Sequence, residues 1–166
     1  MSLKSMMFKK VKAINYEMPM ASAQVKSAIL LAGMYADSKT IVTEPYVSRD
    51  HTEKMFETFG VELYKEGTSV GIQKVEQLIS PETLEVPGDI SSAAFWLVAA
   101  SIIPNSNLTL KNVGVNKTRT GIIDVLLNMG ADIKVVNERM SGKEPMADLI
   151  VKSAKLKNVC YDIRGP

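Results

Sequence analysis

The sequence predicts an α/β protein of the α+β type, built from two tandem β-α-β-α-β-β units. The first observation is an internal repeat, because Pro19 and Pro87 are separated by the same number of residues as Tyr46 and Gly114. The second is that short β-branched strings alternate with longer apolar segments of helical length. Short connections and right-handed crossovers should then form two small sheets, each covered by two helices.

The first unit, residues 1–82, begins with a loosely alternating segment that we expect to be a strand. This segment, residues 8–18, should end in a turn at Pro19, because proline disfavours helical backbone in the residue before it. The apolar run at residues 25–35 is rich in Ala, Leu and Ile and predicts a buried helix. Ser22 is its best N-cap candidate.

The remainder of the first unit continues the alternation. A β-branched string at residues 39–43 predicts the second strand. Asp50 and Glu53 have the spacing of a capping box, so a second helix should begin near Thr52. A turn at Glu66 and Gly67 predicts a closing hairpin.

The second unit, residues 83–166, repeats this order. Its expected elements are a strand at 83–86, a helix capped by Asp89, a strand at 107–113, a helix capped by Thr118 or Thr120, and a hairpin of 132–136 with 149–151. Trp96, on the first of these helices, is expected to belong to the core. Gly60 and Gly130 should end the second helix of each unit, because glycine tolerates the left-handed backbone found there.

Composition narrows the possible functions. The 166 residues carry a formal net charge of +2, which provides no strong field for a polyanion, so no nucleic-acid partner is expected. The longest apolar stretch, residues 93–103, is too short to span a bilayer. Lysines near the start interrupt any signal-like run, and the one cysteine, Cys160, rules out an internal disulfide. These features predict a cytoplasmic protein without a membrane partner.

Chemistry-bearing residues are few. The single histidine, His51, and the scattered acids do not form a metal-ligand pattern, and no cofactor is expected. His51 is expected to pack where the second helix begins, and Lys26 to be a charge on the face of the first helix.

Two residues could serve either structure or binding. Ser22 could simply cap a core helix, or it could bind an anion together with Gln24 and the backbone N–H groups at the helix start. Arg49 lies just before the second helix, where its guanidinium could bind an anion or remain a solvated surface charge.

Three strings in this chain resemble the EPSP synthase branch of the enolpyruvyl transferase family. They are Ala-Ser-Ala-Gln-Val-Lys-Ser-Ala at 21–28, Ser-Arg-Asp-His-Thr-Glu at 48–53, and Val-Pro-Gly-Asp-Ile-Ser-Ser-Ala at 86–93. Asp-Ile-Arg-Gly at 162–165 is similar to the segment that leads into the next active-site strand of the family. The resemblance implies the repeated-unit fold of that family.

The resemblance also implies a reaction and a set of binding residues. Enzymes of this branch transfer the enolpyruvyl group of phosphoenolpyruvate to the 5-hydroxyl of shikimate 3-phosphate and release phosphate, without a metal or redox cofactor. Ser22, Ala23 and Gln24 match positions that bind shikimate 3-phosphate, and Gln24 would also approach phosphoenolpyruvate. Arg49 matches a phosphate-binding position of one branch. Another branch uses a hydroxyl and a tyrosine that fall on Thr43 and Tyr46 here.

Members of the family are longer than this chain, which resembles their middle portion. The resemblance therefore implies that the residues of proton transfer lie outside it, and that the chain holds one unit from each of two lobes. We expect the chain alone to be inactive, and the longer parent to be monomeric.

Other functions stay open at this stage. One is a fragment of the related enzyme that transfers enolpyruvyl to UDP-N-acetylglucosamine, although no reactive-cysteine loop is visible. Another is a nucleic-acid protein similar to RNA 3′-phosphate cyclases, which share the repeated unit. A third is a structural module without activity of its own.

Overall fold

The computed structural model describes residues 11–159. Its contacts divide the chain into two compact units, Met1–Thr83 and Leu84–Pro166. Cys160, the string at 162–165 and the start of the first predicted strand at 8–10 lie outside the described residues. Within the described part, no helix is both long and apolar enough to cross a membrane.

The first unit has the predicted order β-α-β-α-β-β. Its elements are β1 (Asn15–Glu17), α1 (Ala23–Gly33), β2 (Thr40–Thr43), α2 (His51–Thr58), β3 (Leu63–Glu66) and β4 (Ser69–Ile72). The sheet order is β1-β2-β4-β3, in which β1 and β2 are parallel and the other pairs antiparallel. The right-handed β1-α1-β2 crossover expected of parallel neighbours places α1 on one face of this sheet.

The core of the first unit lies between that sheet and its helices. Leu30 of α1, Val42 of β2, Phe56 of α2 and Ile72 of β4 are at most 5% exposed and belong to one apolar cluster. Gly33 lets α1 approach the sheet closely, because a Cβ at this position would lie 2.8 Å from Ile72 Cγ2. Only one stripe of α1 is buried, so the expectation that the whole apolar run is buried was wrong.

The second unit contains α3 (Ile90–Ile102), β5 (Asn107–Gly114), α4 (Gly121–Asn128), β6 (Asp132–Ser141) and β7 (Glu144–Lys152). Its three strands form an antiparallel sheet in the order β5-β7-β6. The predicted hairpin of β6 and β7 is present and longer than expected. Its apolar core is built by α3, α4 and the sheet, including Leu97, Val113, Leu126 and Leu149.

The strand predicted at residues 83–86 does not form. The Glu85 N–H donates to Ser141 Oγ at 2.9 Å, and the Ser141 hydroxyl donates to the Glu85 carbonyl. The Ser141 side chain thus occupies the backbone N–H and carbonyl groups of Glu85 that a neighbouring strand would otherwise bond. Pro87 has no N–H to extend a ladder, and only Gly88 forms an isolated parallel bridge, with β5.

Trp96 is not in the core, contrary to the sequence prediction. It is 61% exposed, and the neighbouring Phe95 is 77% exposed. Helix α3 is apolar nearly all the way round, but it contacts the sheet with one face only. Hydrophobicity therefore could not identify which side of this helix would be buried.

The helix ends follow local chemistry in part. Ser22 and Asp89 are N-caps whose side chains accept backbone hydrogen bonds, as predicted. Asp50 and Thr120 occupy N-cap positions without a side-chain capping bond, so the predicted capping box is wrong. Asp50 instead pairs with Lys54 at 3.0 Å.

Both predicted closing glycines lie where expected. Gly60 has φ +78° and Gly130 has φ +89°, immediately beyond α2 and α4. This left-handed backbone is favourable for glycine and ends the helix before the chain enters the hairpin.

Candidate functional site

A cleft of about 450 Å³ lies in the first unit where the beginnings of α1 and α2 meet. Its lining residues are Ala23, Gln24, Ser27, Ala28, Leu31, Arg49, His51 and Thr52. The structure therefore brings together three of the predicted site residues, from two separate strings of the sequence. None of the described residues that line the cleft carries a carboxylate.

Ser22, the cap of α1, does not itself line the cleft but directly precedes Ala23, which does. Ser22 has extended backbone, and its Oγ accepts a hydrogen bond from Val25 N at 3.4 Å. The hydroxyl proton of Ser22 can still be donated to another acceptor. The first turn of α1 contains no acidic residue, so no carboxylate there neutralises the positive end of the helix dipole.

The α2 side supplies the cationic group. Arg49 directly precedes the N-cap Asp50, is exposed, and forms no ion pair with any residue between 11 and 159. Ser27 Oγ and Thr52 Oγ1 are 2.6 Å apart and form a hydrogen bond between α1 and α2. This bond holds the two helix starts together at the cleft.

Behind the cleft, Lys26 is buried between two carboxylates. Its Nζ lies 2.7 Å from Glu44 Oε2 and 2.7 Å from Glu53 Oε1, and the three side chains are 1–2% exposed. Lys26 is thus a charge on a face of α1, as predicted, but this face is buried and the charge is paired, which was not predicted. Lys26 and Leu30 are four residues apart and so share one helix face, but only the fold shows that Glu44 and Glu53 meet Lys26 there.

Burial and pairing act on Lys26 in opposite directions. Burial alone would lower the pKa of its ammonium group, but the hydrogen bonds and charges of Glu44 and Glu53 outweigh it and raise the pKa above its usual value. Lys26 is therefore charged at neutral pH. One ammonium faces two carboxyl groups, and Glu53 Oε2 is buried without a hydrogen-bond partner among the described residues.

Glu44 connects this cluster to the segment that carries Arg49. Ser48 N donates to Glu44 Oε2 at 3.3 Å, and the Ser48 hydroxyl donates to Glu44 Oε1. Glu44 is not among the site residues predicted from the sequence. No local motif distinguishes it, because its partner Lys26 is brought to it by the fold.

The alternative binding residues lie elsewhere. The Thr43 and Ser69 hydroxyl oxygens are 2.8 Å apart and form a hydrogen bond between β2 and β4. Tyr46 is 60% exposed. Neither Thr43 nor Tyr46 lines the cleft.

The chemistry of the cleft is that of an anion site. Two helix starts, an amide side chain and a guanidinium can all interact with phosphate or carboxylate oxygens. Within residues 11–159 there is no group of three or more His, Cys, Asp or Glu side chains arranged to hold a metal ion.

A second cleft of about 490 Å³ lies beside the β3–β4 hairpin and includes Lys39 and Tyr64. The Lys39 ammonium lies 4.3 Å from the centre of the Tyr64 ring. This cleft contains none of the predicted site residues, so its slightly larger volume does not make it the better candidate.

These features define a class of protein: an α/β protein of two compact units, with a cleft suited to anion binding in the first unit. The family model described as EPSP synthase (3-phosphoshikimate 1-carboxyvinyltransferase) matches residues 2–164. The chain belongs to the EPSP synthase family. This membership sets aside the interpretations as a UDP-N-acetylglucosamine transferase fragment and as an RNA 3′-phosphate cyclase-like protein.

Curated relatives carry the same name. The 3-phosphoshikimate 1-carboxyvinyltransferase of Thermoanaerobacter sp. (strain X514) is 53% identical over 150 residues, which cover 90% of this chain and 35% of the relative. That of Bacillus subtilis (strain 168) is 54% identical over 149 residues, with the same two coverages. The chain thus spans about a third of the length of these relatives.

A solved structure supports the fold independently. EPSP synthase from Acinetobacter baumannii superposes with a TM-score of 0.83 at 49% sequence identity. The match covers 89% of this chain and 34% of that structure. The mixed α/β fold predicted from the sequence is confirmed.

Proposed function

We propose that this chain, within the protein at its full natural length, contributes the shikimate 3-phosphate site of an enolpyruvyl transfer reaction. In that reaction the 5-hydroxyl oxygen attacks the enol carbon of phosphoenolpyruvate, whose methylene carbon gains a proton as the hydroxyl loses one. The tetrahedral intermediate then eliminates phosphate, and its methyl group loses a proton to restore the enol double bond. Groups for proton transfer and for binding phosphate and carboxylate are needed.

The observation that carries this proposal is the meeting of Gln24 and Arg49 at one cleft between two helix starts. Ser22 would donate its hydroxyl to a phosphate oxygen, and Ala23 would offer its backbone N–H. Gln24 would donate its side-chain amide to shikimate 3-phosphate and approach phosphoenolpyruvate. Membership of the EPSP synthase family supports these assignments, because the relatives' name specifies this transfer.

Among the alternative phosphate-binding residues, Arg49 is preferred over Thr43 and Tyr46. It lines the cleft, whereas the alternatives Thr43 and Tyr46 do not, and the Thr43 hydroxyl already bonds to Ser69. A guanidinium can also bind a phosphate through two parallel hydrogen bonds.

The remaining parts of the proposal concern the protein as a whole. We infer that residues 1–82 and 83–166 come from different lobes, that the protein is a cytoplasmic monomer of aromatic amino-acid biosynthesis, and that it uses neither a metal nor a redox cofactor. The 166-residue chain alone should release no phosphate from the two substrates above a blank without enzyme.

The site assignment is tested by two substitutions in the protein at its full natural length. Gln24→Ala removes an amide that does not cap α1, and Ser22→Gly keeps most of the capping preference while deleting the hydroxyl. Losing a hydrogen bond to a charged group should weaken shikimate 3-phosphate binding by about 10- to 150-fold. Melting temperatures should be nearly preserved.

Gln77→Ala provides the matched control, because Gln77 is also exposed in the first unit but lies outside the proposed cleft. It should bind shikimate 3-phosphate like the wild type in calorimetric titration. Wild-type affinity in both Gln24→Ala and Ser22→Gly would refute the proposed site.

A further inference from the structure

We propose that Lys26, Glu44 and Glu53, acting with Ser48, are positioning residues that hold Arg49 at the cleft. They would do this by fixing the connection from β2 to α2 against α1. The inference rests on the proposed function, because it assumes that Arg49 binds the substrate phosphate.

Three chain segments meet at the Lys26 ammonium group. Lys26 lies on α1 about one turn after the cap, Glu44 directly follows β2, and Glu53 lies in the first turn of α2. Glu44 and Glu53 bracket the connection that contains Arg49, and both lie 2.7 Å from the same Nζ. One buried cation therefore fixes both ends of this connection to α1.

Ser48 extends the network to the residue next to Arg49. Its backbone N–H and its hydroxyl donate to the two oxygens of Glu44. The position of the backbone immediately before Arg49 is thus set by a carboxylate that Lys26 holds in place. Arg49 itself remains exposed and free to meet a ligand.

Stability alone does not account for this cluster. Buried ion pairs are often no better for stability than apolar side chains of similar volume, because the charges must leave water. Here two carboxyl groups share one ammonium, and Glu53 Oε2 has no partner among the described residues. A cluster maintained only for folding would not be expected to leave a buried carboxylate oxygen unsatisfied.

The second unit shows that the architecture does not need a charge on its first helix. Lys26 follows the cap Ser22 by the same interval as Ala93 follows the cap Asp89. Ala93 is also buried, at 8% exposure, within an apolar core.

The second helix of each unit gives the same comparison. Glu53 follows the N-cap Asp50 by the same interval as Ile123 follows Thr120. Ile123 is 4% exposed and packs in the apolar core. Charges replace apolar residues only in the unit whose cleft contains Arg49, which favours a role connected with that cleft.

The test is a double-mutant cycle of Ser48→Ala and Arg49→Ala in the protein at its full natural length, with the dissociation constant for shikimate 3-phosphate as the readout. Arg49→Ala should weaken binding by about 10- to 150-fold. Ser48→Ala should weaken it by roughly twofold to tenfold, with a small decrease in melting temperature because Glu44 Oε1 loses its donor. If Ser48 acts through Arg49, the double variant should bind no more weakly than Arg49→Ala alone.

Ser92→Ala is the matched control, because Ser92 also donates its hydroxyl to a carboxylate, Asp89, in the second unit. It should bind like the wild type. Wild-type affinity in Arg49→Ala would overturn the proposed role of Arg49 and the inference with it. If Arg49→Ala weakens binding but Ser48→Ala does not, or if the two effects multiply, only the positioning inference fails.

Discussion

Helices α1 and α3 are the first helices of their respective units, and both begin at a side-chain cap and share a stripe of buried positions. Leu30 and Leu97 lie at equal distances from their caps, and both are fully buried. Gly33 and Ala100 are the next equivalent pair, and both are buried. The units therefore share a packing scheme, and a difference within the stripe can be examined against a common background.

The main difference is where each unit places its charges. The first unit buries a cation and two carboxylates behind a cleft, whereas two ion pairs of the second unit, Arg119 with Asp89 and Arg139 with Asp148, are partly exposed. The same packing scheme thus forms whether the buried positions of the first helix are uncharged, as in α3, or include a charge, as in α1. The comparison supports the proposal that the buried charges serve the site more than the fold.

The largest effect is expected from removing the buried cation alone. Lys26→Met should lower the free energy of unfolding by about 3–5 kcal/mol, because it leaves two carboxyl groups buried without a counter-charge. Native-state hydrogen exchange should show the loss in the amides of α1 and α2. Lys65→Met, which breaks the more exposed pair with Glu57, is the control and should cost at most about 1 kcal/mol. An equally small cost for Lys26→Met would contradict the description of the cluster.

A smaller effect should come from making α1 more like α3. Gly33→Ala introduces the methyl group that Ala100 carries, but here it would lie 2.8 Å from Ile72 Cγ2 and 3.0 Å from Thr40 Cβ. We expect a loss of about 1–3 kcal/mol from overpacking, despite the better helix propensity of alanine. Urea unfolding measures this change, and a stabilised variant would show that α1 can move away from its sheet to accommodate the methyl group.

The smallest effect concerns the surface charges of the second unit. Hydrogen bonds from the Asn137 side chain and the Asn112 backbone lower the pKa of Asp148 below its ordinary 3.8. The folded state is then favoured by ionised Asp148 above that pH, and this contribution is lost as the pH falls through and below 3.8. Asp148→Asn should reduce stability at neutral pH and flatten its decline in acid. An unchanged acid limb of the pH–stability curve would exclude this role.

Local signals predicted much of the fold. The caps Ser22 and Asp89, the left-handed Gly60 and Gly130, and the order of elements in the first unit all follow from interactions within a few residues. Such interactions operate in the same way wherever the segment occurs, so the sequence alone is enough to identify them.

The features that were not predicted correctly depend on contacts between residues that are far apart in the sequence. The 83–86 strand fails because Ser141, far along the chain, satisfies its backbone. Trp96 was wrongly predicted to be buried, because the sequence of an apolar helix does not specify which face meets the sheet. The burial of Lys26 was not predicted, because its buried partners, Glu44 and Glu53, come from other elements.

The candidate site shows the same division. The strings at 21–28 and 48–53 indicated Gln24 and Arg49 separately, through their resemblance to a family. Their meeting at one cleft depends on the packing of α1 against α2, including the bond between Ser27 and Thr52. The residues proposed to position Arg49 could be found only from the structure.

The most direct test replaces the whole charged cluster with apolar side chains of similar volume. The triple variant Lys26→Met/Glu44→Met/Glu53→Met, at full natural length, should have a free energy of unfolding equal to the wild type or up to about 4 kcal/mol higher. Its dissociation constant for shikimate 3-phosphate should nevertheless rise by about tenfold or more, since Ser48 loses its charged acceptor and Arg49 its fixed position. A stably folded triple variant that binds shikimate 3-phosphate with wild-type affinity would contradict the account.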